Sequence, residues 1–171
     1  MEKVFWLREG LLAGRSGPNL DPWDLETFKN NGFSAILSVN DGEMVHESLI
    51  ESLGFNYANI PMSSNAPVQP GDKELCLRNL PKAMKFLGEN LRNGPVLVHC
   101  RSGKDRTGLV LAASLIAIDG AEVDISMIEV LKVREVAFSA DGWMSFSKGV
   151  LEAFYLQNKS MLSDSLSLAS N

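Results

Sequence analysis

The spacing of apolar positions changes period several times along the chain, and each change marks an element. Residues 4–7 and 11–13 are short apolar stretches split by Gly10 and read as the strands of a hairpin; Gly14, Gly17 and Pro18 then mark a loop. Asp21 followed by Pro22 predicts a helix start, which Asn31-Gly32 closes. Residues 33–39 form an apolar run that reads as a buried strand. Residues 43–53, closed by Gly54, predict a helix, and 55–62 alternate like a strand that runs into the loop SSNAPVQPG. From 72 to 93, Cys76, Leu80, Met84, Leu87 and Leu91 recur at helical spacing, with Asp72 as N-cap and Gly94 as stop. Residues 95–100 read as a short apolar strand. The nearly all-apolar stretch 107–118 is too long for a strand and predicts a buried helix. Asp124 is expected to cap a helix reaching to about residue 135. After the loop FSADG, Trp143, Phe146, Val150 and Phe154 mark a last amphipathic helix, and the Ser-rich tail 159–171 is expected to be disordered.

Strands alternating with helices imply an α/β fold, with a central, mostly parallel sheet of about five strands flanked by helices. Residues 1–158 are read as one domain, without internal repeats. Sheets of this kind bind ligands at the carboxyl ends of their strands, which directs attention to the end of strand 95–100.

Composition narrows the class. The chain has 171 residues, 45% hydrophobic and 22% charged, which suits a globular protein and excludes a disordered or membrane-embedded one. The net charge of −5 gives no general attraction to nucleic acid or to an anionic membrane, so any anion site must be a local concentration of cations. Neither the N-terminal MEKVFWLREG nor the apolar run 109–118 approaches the ~20 residues that span a bilayer. Two cysteines, Cys76 and Cys100, are too few for a disulfide framework; free thiols and a cytoplasmic location are expected.

The run VHCRSGKDRTG, residues 98–108, joins the predicted strand 95–100 to the buried helix. A turn entering a helix has free backbone N–H groups and the positive end of the helix dipole, and both favour an anion. Gly103 allows a backbone angle that turns successive N–H groups inward. Arg106 adds a planar fork that matches phosphate oxygens. The predicted phosphate cradle therefore comprises Arg101, Ser102, Gly103, Lys104, Asp105 and Arg106, with Arg101 and Lys104 as flanking substrate contacts. Cys100 lies in the same field, which favours its thiolate. A thiolate at the floor of such a cradle is set for in-line attack on phosphorus, giving a phosphocysteine that water hydrolyses. Thr107 is placed to donate its hydroxyl to the thiolate or to cap the helix, and Gly108 to allow close packing.

Competing readings are weaker. His46 and His99 beside Cys100 do not make a metal ligand set, so no metal is expected. The nucleotide-binding G-x-x-x-x-G-K-[ST] pattern fails, because Gly103-Lys104 is followed by Asp105 and the preceding glycine is Gly94. His99 reads as a structural hydrogen-bonder and Cys76, on its apolar stripe, as a packing residue.

The segment HCRSGKDRTG resembles the H-C-x5-R-[ST]-G signature of the cysteine-dependent protein tyrosine and dual-specificity phosphatases. That resemblance extends to about residue 156 and implies a dual-specificity phosphatase-like fold, Cys100 as nucleophile, Arg106 as phosphate-binding arginine and no cofactor. It also implies a monomeric enzyme acting on a phosphorylated protein or a phosphoinositide. In that family an aspartate on the loop after Ile-Pro protonates the leaving oxygen. Here Ile60-Pro61 is followed by Met62-Ser63-Ser64-Asn65, with a serine where the acid belongs. The C-x-x-G-K-D-R pattern resembles that of myotubularin-type lipid phosphatases, in which the loop aspartate transfers protons; this implies Asp105 as general acid and then general base. The other role open to Asp105 is structural, bonding the loop or pairing with Arg101 or Lys104. The glutamine that often positions water in this family is absent from 138–143, where Ser139, Asp141 and Trp143 are rim residues. Asp41 and Glu43 follow another strand end and are further candidates. The acidic total favours a phosphoprotein over a bilayer surface. The missing loop acid also leaves open a module that binds phosphorylated partners without turnover. Sulfur-transfer or arsenate-reducing chemistry would require Cys76 to leave its stripe.

Overall fold

The computed structural model describes residues 2–40, 45–63 and 66–169, and from residue 162 onward the backbone alone. Strands β1 (Phe5–Arg8), β2 (Leu12–Ser16), β3 (Ala35–Ser38), β4 (Asn56–Asn59) and β5 (Val96–Cys100) form one sheet in the order β1-β2-β5-β3-β4. Only β1 and β2 pair antiparallel. β2 and β3 flank β5 in parallel, and β4 lies parallel beyond β3. The expected α/β sheet of five mostly parallel strands is the one observed.

The helices are α1 (Leu25–Asn30), α2 (Glu47–Ser52), α3 (Asp72–Asn90), α4 (Asp105–Asp119), α5 (Val123–Val133) and α6 (Trp143–Ala169). Strand side chains alternate between faces, and β5 splits accordingly. Val96, Val98 and Cys100 face the larger core with Leu80, Leu87, Leu111 and Val150, whereas Leu97 faces a smaller one with Phe28, Phe33 and Ile50. The alternation turns Cys100 toward the α3, α4 and α6 layer and His99 toward the opposite face.

Several helix starts differ from those expected. Asp24, not Asp21, caps α1: its carboxylate accepts from the Thr27 N–H at 2.9 Å and from the Thr27 hydroxyl at 2.6 Å. Asp21 instead holds Ser16 and Lys3, because the chain between β2 and Pro22 is still turning. The cap of α3 is Gly71, with φ of 90°; Asp72 occupies the first turn, where its carboxylate accepts from the Gln69 N–H at 2.7 Å and the Ser63 hydroxyl at 3.1 Å. Glu122 caps α5, and Asp124 in its first turn pairs with Lys148 on α6 at 2.8 Å. α2 begins at Glu47; the expected start at Glu43 lies outside the described residues. Helix α6 continues through the serine-rich segment to Ala169, past the point where composition predicts disorder.

Candidate active site

The turn between β5 and α4 lies at the carboxyl ends of the parallel strands. Its backbone is set by what its carbonyls do. His99 Nδ1 donates to Cys100 O at 3.3 Å, and the Gly17 N–H donates to Arg101 O at 3.0 Å. The Arg134 guanidinium donates to Ser102 O and Gly103 O, both at 3.2 Å, and the Gly108 N–H donates to Lys104 O at 2.9 Å. All five carbonyls from Cys100 to Lys104 are therefore drawn to donors outside the turn. Because a trans peptide holds its C=O and the following N–H on opposite sides, the N–H groups of residues 101–105 face the other way. With the amides of Arg106 and Thr107, which precede the first closed turn of α4, they are left for an anion.

Two glycines make this possible. Gly103 has φ of 62°, and a Cβ there would stand 2.6 Å from the Arg15 carbonyl and 2.7 Å from Ser16 N. At Gly17 a Cβ would meet Cys100 O at 3.0 Å. The end of β2 is thus packed backbone to backbone against the cradle. Gly108 lets α4 approach the α5–α6 connector, with Phe138 and Ala137 at 3.1 and 3.3 Å from the position of its absent Cβ.

The predicted side chains come together. Cys100 is 1% exposed. A cavity of about 230 Å³ over the following turn is lined by Ala66, Arg101, Ser102, Lys104, Asp105, Arg106, Ala140 and Trp143. Arg106 Nη1 donates to Ser63 O at 3.1 Å, and Lys104 Nζ to the Ser139 hydroxyl at 3.2 Å. Asp105 Oδ1 accepts from the Ala140 N–H at 3.1 Å, and none of the described ion pairs involves Asp105, Arg101 or Lys104. Thr107 does not cap α4: its hydroxyl is buried and has no hydrogen-bond partner among the described residues. Asp141 lines a separate apolar groove of about 860 Å³ between α5 and α6, whereas Trp143 walls the cradle cavity. Asp41, Glu43, Ser64 and Asn65 lie outside the described residues.

Ser63, one of the two serines that stand where the family's loop acid is expected, is fully buried. One face of α3 fastens this strap: Asn79 Nδ2 donates to Pro61 O at 2.7 Å, the Cys76 thiol donates to Met62 O at 2.6 Å, and Asp72 accepts from the Ser63 hydroxyl. The strap presents the Ser63 carbonyl to Arg106. Burial, with Asp72 nearby, pushes the Cys76 thiol up to about 12, so it stays protonated as this donor.

His99 is a second support. Tyr57 donates to Ser38 at 2.9 Å, and Ser38 bonds His99 Nε2. Since Nδ1 faces a carbonyl, it carries the ring proton and Nε2 accepts from Ser38. Trp23 packs edge-on to the ring at 4.5 Å between centroids. Burial, with Arg106 and Arg15 nearby, lowers the ring from 6.5 to about 4, so it is neutral.

A thiol, an arginine and an inward-facing ring of amides at a strand-to-helix turn define a cysteine-dependent phosphatase of dual-specificity type. The chain belongs to the PTP-SAK family, described as the Swiss Army Knife protein DSP-PTPase phosphatase domain, whose model matches residues 1–147. The same fold is seen in Tk-PTP in its active form, 19% identical over 90% of this chain and 97% of that one, with a TM-score of 0.70. It is seen too in PTPMT1 in complex with PI(5)P, at 15% identity, 94% and 99% coverage and a TM-score of 0.75. Human DUSP28 matches at 18% identity, 90% and 95% coverage and a TM-score of 0.69. No curated protein matches the chain in sequence.

The sequence pattern does not single out Arg134 or Asn79, and it marks Gly17 only as a loop residue. None stands near the cradle in sequence, and an arginine at a helix end or an asparagine within a helix reads as an ordinary surface residue.

Two outcomes follow from this geometry. Gly103→Ala cannot be accommodated, since the obstructing atoms are backbone; stability is expected to fall by about 1–3 kcal/mol in denaturant titration, and activity by at least tenfold. Retention of full activity would contradict the packing. For His99, the folded state resists a proton that the unfolded state accepts below pH 6.5, so its contribution is complete above that pH. It is lost as pH falls toward about 4. Unfolding free energies measured from pH 7 to 4 are expected to decline less steeply in His99→Asn.

Proposed function

We propose that this phosphatase removes a phosphate from a small molecule that carries further phosphates, a phosphorylated inositol or its lipid form, through a phosphocysteine on Cys100. The observation that carries the reading is the lining of the cradle cavity. Arg101 and Lys104 stand on it beside Arg106, and no carboxylate pairs with either among the described ion pairs. Cations left without acidic partners beside a phosphate site favour a second anionic group on the substrate.

In the first step the Cys100 thiolate attacks phosphorus and the ester P–O bond breaks. The three non-bridging oxygens stay on the inward amides and Arg106, while Asp105 protonates the leaving oxygen. In the second step Asp105 takes a proton from water, the oxygen attacks phosphorus, and the S–P bond breaks to release phosphate and thiolate. The Thr107 hydroxyl stabilises that leaving sulfur. Support for Asp105 in this role is its place on the cavity wall, together with serines, not an acid, at 63 and 64 after Ile60-Pro61.

A phosphoprotein substrate is the second reading, favoured by the net charge of −5. Among the described residues no helix is long and apolar enough to cross a membrane, which suits a water-soluble inositol phosphate as well as a protein. We place the enzyme in the cytoplasm, as a monomer; two free thiols are compatible with a reducing compartment.

The test is turnover of an inositol bisphosphate, the matching monophosphate, a phosphotyrosine peptide and an aryl phosphate. Cys100→Ser is expected to abolish every activity, and Asp105→Asn to slow the alkyl phosphates by roughly 10²–10⁴-fold while sparing the activated aryl ester. Arg101→Ala with Lys104→Ala is expected to raise KM for the bisphosphate by about tenfold. Preference for the phosphotyrosine peptide, unchanged by that double variant, would establish the second reading. Binding without turnover by the wild type would overturn both.

A further inference from the structure

We propose that Arg134 is a positioning residue for the reaction: it sets the affinity of the cradle for the transferred phosphoryl group without touching it. Arg134 is the C-cap residue of α5, 28 positions beyond Arg106, and its side chain is half-buried beneath the turn. Nε donates to Gly103 O and Nη2 to Ser102 O, so one planar guanidinium holds two consecutive peptide groups. Of the five carbonyls that are drawn outward, these two share a single side chain as donor. The Arg101 and Lys104 carbonyls are held by backbone amides, and that of Cys100 by the adjacent ring.

The geometric consequence is specific. Holding Ser102 O outward fixes the Gly103 N–H inward, and holding Gly103 O outward does the same for the Lys104 N–H. Gly103 is the residue at which this control matters most, because with φ of 62° and no side chain it has the fewest barriers to rotating either of its peptide planes. If one plane turned over, a carbonyl dipole would point at the phosphate in place of an N–H, exchanging attraction for repulsion.

Arg134 is itself held from below. Its guanidinium lies over the Phe5 ring on β1 at 5.3 Å. Phe5 pairs in register with Gly14 on β2, where a Cβ would stand 2.3 Å from the ring. The glycine lets the ring lie flat across the hairpin, the ring supports the guanidinium, and the guanidinium orients two cradle amides. None of the described ion pairs includes Arg134.

The test compares Arg134→Ala, Arg134→Lys and Phe5→Leu with the wild type in three measurements: thermal unfolding, steady-state kinetics on an aryl phosphate, and inhibition by inorganic vanadate. Arg134→Ala is expected to weaken vanadate inhibition and kcat/KM by about tenfold or more, as loss of two charge-assisted hydrogen bonds implies. Arg134→Lys, which can reach one carbonyl, is expected to recover part of that loss, and Phe5→Leu to give a smaller loss with the arginine retained. In amide NMR spectra of the wild type, the Gly103 and Lys104 signals are expected to shift on phosphate addition, and in Arg134→Ala to shift less. An Arg134→Ala enzyme that melts at lower temperature but binds vanadate and turns over like the wild type would overturn the proposal. If Arg134→Ala does not fold, equal vanadate affinity in Arg134→Lys and the wild type would overturn it.

Discussion

The structure depends on the direction of five peptide groups. From Cys100 to Lys104 every carbonyl is held by a donor outside the turn, and peptide planarity converts that outward pull into an inward ring of N–H groups. Such a ring is costly to leave unsatisfied, since buried amides lacking acceptors lose their solvation without compensation. It is therefore poised for a tetrahedral oxyanion, and Cys100 ends the strand that runs beneath it. The parallel register of β2 against β5 brings Ser16 opposite Cys100 and carries Gly17 to the Arg101 carbonyl. The sheet is thus the device that aims the turn, and it can do so because glycine stands at both points of closest approach.

The electrostatics follow from the same arrangement. A chain of net charge −5 has no long-range attraction for phosphate, so the cations must act at short range. Arg101, Lys104 and Arg106 lie on the cavity, Arg134 lies under it, and the acid beside them, Asp105, is tied to the α5–α6 connector. The segment after Ile60-Pro61 has a structural task here. Asp72, Cys76 and Asn79, spaced at i, i+4 and i+7 on α3, fasten residues 61–63 so that the Ser63 carbonyl anchors Arg106. A strap held at three successive residues is suited to fixing a guanidinium.

Much of this is legible in the sequence, for physical reasons that differ by residue. The succession of strands and helices, and hence a mostly parallel sheet, could be anticipated in outline because apolar runs alternate with helical periods. Cys100, Gly103 and Arg106 declare themselves because a nucleophile, a turn glycine and an arginine at that spacing have few other uses together. The helix starts differ from Asp21, Asp72 and Asp124 by one to three residues because tertiary partners engage each of these acids. Asp21 is taken by Lys3 and Ser16, Asp72 by Ser63, and Asp124 by Lys148. Arg134 could not be found by pattern, since its partners are backbone carbonyls that have no identity in the sequence. Nor could the burial of Ser63, which depends on α3 crossing beneath the strap.

The most direct measurement is a crystal structure of the wild-type protein with vanadate. The account predicts vanadium bonded to Cys100 Sγ, equatorial oxygens on the backbone N–H groups of residues 101–105 and on the Arg106 guanidinium, and the five carbonyls still turned outward. Vanadate bound away from Cys100, or a cradle whose carbonyls face the anion, would contradict it.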